Sequence, residues 1–141
     1  MRWFRRFRAC SGGASAVEFA MIAPVFLMLV FGIVIYGSYL AVVYGVQQLT
    51  AAAARSSIAG LSDAERSSLA TSYVTSNAGS YPLLSASNLT VNAAASPGNA
   101  NVFVVTVNYN ASGLFIYTLP SFVPAPPTTI VSSAAIPRGG F

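Results

Sequence analysis

The sequence predicts an α+β fold: a long N-terminal transmembrane helix continuing into a stem, a short second helix, and a small antiparallel sheet of about three strands. Three observations predict it. The apolar run from Phe19 to Val46 contains no charged residue, and the next formal charge is Arg55. Past Gly60, Ser62 with Glu65 three residues on makes a capping box ahead of apolar residues at i,i+4 spacing. Beyond Pro82 the apolar residues alternate, the period of a half-buried strand.

Composition limits what the chain can be. At 141 residues and a mean hydropathy of +0.64 there is room for one membrane segment and one small domain. Charged residues make up 7% of the chain, against roughly a quarter in an average soluble domain, which suits a membrane or surface-assembly protein. The net charge of +4 is concentrated in Arg2, Arg5, Arg6 and Arg8, ahead of the apolar run. The remainder balances, with Arg55, Arg66 and Arg138 against Glu18, Asp63 and Glu65. A nucleic-acid partner is therefore not expected, because such a binder spreads its basic residues over a folded face. A basic leader instead holds the N-terminus in the cytoplasm, with Trp3, Phe4 and Phe7 as interfacial anchors. The single cysteine, Cys10, excludes an intramolecular disulfide, and no apolar segment precedes it as a lipoprotein signal requires. Histidine and lysine are both missing, which removes the usual general base, the commonest metal ligand and the Schiff-base amine. No enzyme activity, cofactor or metal is expected.

Three segments follow: a basic leader over 1–13, a transmembrane helix and stem over 14–58, and an extracytoplasmic α+β domain over 59–141. The 28 residues from Phe19 to Val46 span about 42 Å as a helix, more than a ~30 Å hydrocarbon core. The surplus means a tilted helix or one that continues into a stem, to about Ile58, before Gly60 stops it. The run is also longer than the apolar core of an ordinary cleaved signal, although Ala51 to Ala54 offer a small-residue cleavage site. Pro24 removes one helical hydrogen bond and predicts a mild kink. Gly37, Ala41 and Gly45 recur every four residues and give a face on which another helix can approach. Tyr36, Tyr39 and Tyr44 suit the outer interfacial belt.

The second helix is expected over Leu61 to Gly79, with stripes Leu69–Tyr73 and Ala70–Val74 and with Asp63 and Glu65 complementing the helix dipole. Asn88 to Ala93 reads as a weak strand, Ser96-Pro97-Gly98-Asn99 as a turn, and Asn101 to Tyr109 as a strong strand. In the strong strand Phe103, Val105, Val107 and Tyr109 form one apolar face, expected to pack on the second helix or the stem. Leu114 to Val123 is apolar but irregular, Pro124 to Pro127 read as a loop, and Thr128 to Ile136 is the last strand before a glycine tail. The two N-x-S/T triplets, at Asn88 and Asn110, carry no weight in so Asn- and Ser-rich a chain. No phosphate loop, metal-ligand spacing or nucleophile–base pair appears.

An arginine-rich leader ending in glycine, followed by ASAVEFAMIAPVFLMLVFGIVIYG, resembles the TadE-like pseudopilins of the tight-adherence (Flp) pilus system. Glu18-Phe19, the proline six residues after the glutamate and the later Gly-Ile-Val carry the resemblance, which extends more loosely through NVFVVTVNY and TTIVSSAAIPR. It implies a class III signal cut by a prepilin peptidase between Gly13 and Ala14, leaving Glu18 as the fifth mature residue. It implies a minor subunit, because the major pilins of the system are shorter and lack an outer domain. Its partners would be the peptidase, other pilin-like subunits, the inner-membrane pilus platform and the lipid bilayer. The bacterial inner membrane would be its place, crossed once with the N-terminus cytoplasmic. Physically, an amine freed at Ala14 is a cation one helical turn from Glu18, so helices bundled with a small stagger can pair the glutamate of one with the amine of another. The rival reading is a single-pass anchor that is never processed and whose outer domain binds a partner.

Overall fold

The computed structural model describes residues 11–121 and 123–138; the arginines, aromatics and cysteine of the leader and the glycine tail lie outside this range. Helix α1 spans Ser11–Ser56 and runs through Pro24 without interruption. Its 46 residues divide sharply by burial. From Gly13 to Val30 every residue but Ala23 is exposed. From Ile35 onward one face disappears into a core: Ile35, Val42, Val46, Leu49 and Ala53 are all buried. Their steps of seven, four, three and four keep them on one side of a 3.6-residue helix. The surplus apolar length of the sequence is thus the part of α1 that the domain packs around.

Two hydroxyls are buried in this outer half, and each is satisfied locally. Thr50 Oγ1 donates to the Val46 carbonyl at 2.6 Å and Ser57 Oγ to that of Ala54 at 2.7 Å, the back-bonding that lets Ser and Thr enter a helix interior. The helix tightens into a 3-10 turn at Ser57–Ala59 and leaves through an extended Gly60 with φ −72°. Gly60 therefore ends the stem without adopting the left-handed conformation. A Cβ on it would lie 2.7 Å from both the backbone nitrogen and the Cγ of Arg66, so close approach is the reason for glycine here.

Helix α2 spans Asp63–Asn77 and is followed by a 3-10 turn at Ala78–Ser80, so it begins two residues later than the sequence suggests. The capping box forms: Ser62 Oγ accepts from the Glu65 amide at 3.2 Å. Glu65 reaches back past the cap, accepting from the Leu61 amide at 2.8 Å. The buried stripe is Arg66, Ala70, Val74 and Ala78, while Leu69 and Tyr73 stay half-exposed at its edge. Small residues are buried on both helices, Ala70 and Ala78 on α2 and Ala53 and Ala54 on α1, which suits the close packing of the two.

The sheet is an antiparallel meander of β1 (Leu89–Ser96), β2 (Asn99–Asn110) and β3 (Thr129–Pro137), in the order β1-β2-β3. Phe103, Val105, Val107 and Tyr109 all point inward and are buried, covered by α1 on the β2–β3 side and by α2 on the β1 side. Each strand ends beyond its expected terminus. β1 carries Ala94, Ala95 and Ser96, weak strand formers that β2 holds in register up to a shift at Ala95/Ser96, beside the tight turn. Between β2 and β3 the amide of Ala111 donates to the Thr128 carbonyl at 2.7 Å and closes a loop over 111–128. The loop contains a 3-10 turn, Phe115–Thr118, where irregular chain was expected; burial of Leu114 and Ile116 in the core fixes it.

Candidate functional site

The bare part of α1 is the feature that calls for a function. The 22 residues from Gly13 to Val34, where burial begins in earnest, measure about 33 Å along the axis, close to a ~30 Å hydrocarbon core. Its side chains are large, apolar and turned outward, with Phe19, Met21, Ile22, Val25 and Phe26 each more than three-fifths exposed. The helix Gly13–Ala59 is long and apolar enough to cross a membrane. Among the described residues nothing packs over its lower half.

Glu18 stands exposed on this segment, one turn after Ala14. Twenty residues below Ile35, a hydrocarbon thickness of ~30 Å ends near Ser15. Glu18 then lies about one turn inside that boundary, within reach of the interface for an extended side chain but not in bulk water. Gly13 and Ala14, the expected processing pair, both lie in the first turns of α1 and are exposed.

The three small residues of the expected packing face do not share one environment. Gly37 and Ala41 are exposed, and nothing lies within 4 Å of a Cβ placed on Gly37. Gly45 is buried by its own domain: a Cβ there would meet Leu84 Cδ1 at 2.7 Å and Tyr81 Cβ at 3.5 Å. Successive steps of four rotate about 40° each around a helix, so Gly45 is turned about 80° from Gly37 and enters the core. The loop that covers it carries Leu83 at φ 65°, a left-handed conformation unusual for leucine. Two contacts hold it, the Tyr109 hydroxyl donating to the Leu83 carbonyl at 3.0 Å and Leu84 seated over Gly45.

The tyrosines of the expected belt also divide. The hydroxyl of Tyr36 donates to the Pro124 carbonyl at 3.0 Å, and Tyr39 packs half-buried against the core. Tyr44 is nine residues above Ile35, about 14 Å further along the axis, and faces solvent. Tyr117, in the 111–128 loop, donates to the Pro127 carbonyl at 2.8 Å. Burial pushes its phenol above the ordinary value of 10, and the neighbouring Tyr39 adds to the shift.

Charge gathers at the other end of the domain. Arg66 Nε donates to the Gly60 carbonyl at 2.9 Å, while its Nη1 is buried without a hydrogen-bond partner among the described residues. Asp63 pairs with Arg138, which ties the end of β3 to the start of α2. Arg138 also donates from Nη1 to the Ala100 carbonyl at 2.8 Å. A reading of Asp63 and Glu65 as dipole complement alone misses this corner. The signal was available: Arg66 occupies the same i,i+4 row as Ala70 and Val74, so it had to be buried with them. Among the described residues no group of three potential metal ligands comes together.

A small α+β domain is built on the outer half of one long helix, whose inner half is bare, apolar and long enough to cross a membrane, an arrangement consistent with a protein anchored by one helix. Residues 13–55 match the model of the TadE-like protein family, which covers α1 and neither α2 nor the sheet. That is under a third of the chain, so the likeness is to the N-terminal helix. No curated protein and no solved structure matches the chain.

Proposed function

We propose that this chain is a minor pilin-like subunit of a tight-adherence pilus system, cut by a prepilin peptidase between Gly13 and Ala14 and acting in assembly or priming of the fibre. The observation that carries the reading is the family match itself, which begins at Gly13 and covers the bare helix that bears Glu18. An amine freed at Ala14 and the Glu18 carboxylate lie on one face, in a setting where an unpaired carboxylate costs up to roughly 2.5–3.5 kcal/mol at depth and less near the edge. Between staggered helices the pair offsets that cost and sets the axial register. Gly37 and Ala41 remain open for a neighbouring helix; Gly45 belongs to the domain and is not part of such a face. The role is structural, with no catalysis and no cofactor.

A specific observation favours the rival, an unprocessed single-pass anchor: the Gly13–Ala14 bond lies inside α1, and a peptidase must unwind helix to reach it. Gly12 and Gly13 keep that step small, since each glycine weakens a helix by about 1 kcal/mol relative to alanine. N-terminal sequencing of protein isolated from membranes decides between the two. Processing predicts Ala14 as residue one, and an intact leader rejects it. Glu18→Ala is expected to leave cleavage and folding unchanged while abolishing pilus assembly; normal piliation of that variant sinks the pairing role.

A further inference from the structure

The loop between β2 and β3 lies at one end of the domain, and its neighbours on α1 say which end. The Pro124 carbonyl accepts from Tyr36. Tyr117 lies close enough to Tyr39 for the two phenols to influence each other. Val123 and Ile35 belong to the same core cluster, and Phe31, one turn lower on α1, packs against it. Other contacts lie higher: Tyr81 and Leu84 meet α1 at Gly45, and Arg66 packs on Gly60, just beyond the end of the helix. The loop therefore sits beside the point where the bare helix begins. The charged corner of Asp63, Arg66 and Arg138 lies about 30 Å away along α1.

The composition of the loop matches that position. From Ala111 to Pro137 there is no charged residue. Phe115 is 45% exposed, Leu119 is half-exposed, and Pro120 and Pro124 face outward. An uncharged ring of aromatic and proline side chains, whose tyrosine hydroxyls are tied to carbonyls, is suited to the headgroup level, where amphipathic rings concentrate.

We propose that the loop residues 114–121 and 123–127 lie on the membrane–water interface, inserting Phe115 and Leu119 among the lipids beside α1 and so holding the domain at a fixed angle to the bilayer. The proposal rests on α1 spanning the membrane, and on no particular pilus role. The occupant is lipid because the bare helix immediately below is apolar on every side, and the patch is continuous with it.

Single tryptophans introduced into a Trp3→Phe full-length chain test this in phosphatidylcholine vesicles whose acyl chains carry bromine at shallow or deep carbons. Phe115→Trp and Leu119→Trp are expected to lose at least about twofold more emission to shallow than to deep bromine. Leu27→Trp, in the bare helix, reports on the span with quenching that favours deep bromine. Leu61→Trp, 95% exposed at the far corner, is expected to escape quenching. Quenching at 27 with none at 115 or 119 overturns the loop proposal and leaves the span intact. No quenching at 27 removes the span and the proposal with it. Quenching at 61 equal to that at 115 means a domain lying flat on the bilayer, and also overturns it.

Discussion

Three glycines of the stem and its exit sit in three different surroundings, and the surroundings predict different costs of substitution. At Gly60 an added Cβ meets the Arg66 backbone, which cannot swing aside, so Gly60→Ala is expected to destabilise the domain by about 1–3 kcal/mol. At Gly45 the nearest atom is the tip of Leu84, which can turn, and the cost of alanine there is smaller. At Gly37 nothing is near, and alanine is expected to be neutral or to add up to about 1 kcal/mol through helix propensity. Thermal unfolding in one detergent ranks the three; equal shifts for Gly37→Ala and Gly60→Ala contradict the contacts described.

Tyr117 gives a prediction in pH. Its folded pKa is raised above 10 by burial and by Tyr39, so the folded state holds its proton more tightly than the unfolded chain does. That contribution is complete below pH 10 and is lost as pH rises through the higher folded value. Tyr117→Phe is expected to reduce the alkaline loss of stability while costing about 0.5–1.5 kcal/mol at neutral pH, through the bond to Pro127. Denaturant midpoints measured across the alkaline range check both signs.

At the scale of elements, the central strand is where sequence pattern and packing agree most closely. Alternation assigns Phe103, Val105, Val107 and Tyr109 to one face, and all four are buried. Phe103→Ala is expected to cost about 3–5 kcal/mol and Val104→Ala, on the other face, under about 1 kcal/mol. Urea denaturation of the two variants measures the difference, and a similar loss in both would mean that the outer face is covered as well. α2 was less legible. Its cap was visible in Ser62 and Glu65, but its stripe was split between two rows, because Leu69 and Tyr73 are larger than the Ala70 and Val74 actually buried. Packing of α2 against α1 favoured the smaller row, a choice made by the partner surface.

Over the whole molecule, α1 belongs to two environments, and truncation separates them. A fragment over 31–138 retains every core residue from Ile35 on and is expected to fold as a cooperative unit. A fragment over 50–138 lacks Ile35, Val42, Val46 and Leu49 and is expected to be unfolded by circular dichroism. If the shorter piece folds as well as the longer, the stem is a spacer and not part of the core.

The candidate site was legible because it depends on local order: a glycine, then a carboxylate five positions on, then an uninterrupted apolar run, all read along one helix. The sequence by itself also determined the α+β class, the capped second helix and the face of the strong strand, since capping and periodicity are properties of neighbours in the chain. The tertiary structure alone decided where the bare helix stops and the stem begins, because both halves of α1 are apolar and differ only in what packs against them. It likewise decided that Gly45 serves the domain while Gly37 and Ala41 stay open, and that Asp63 finds Arg138 75 residues away. Hydrophobicity is not directional, so an apolar residue records that it avoids water without recording whether lipid or protein will cover it.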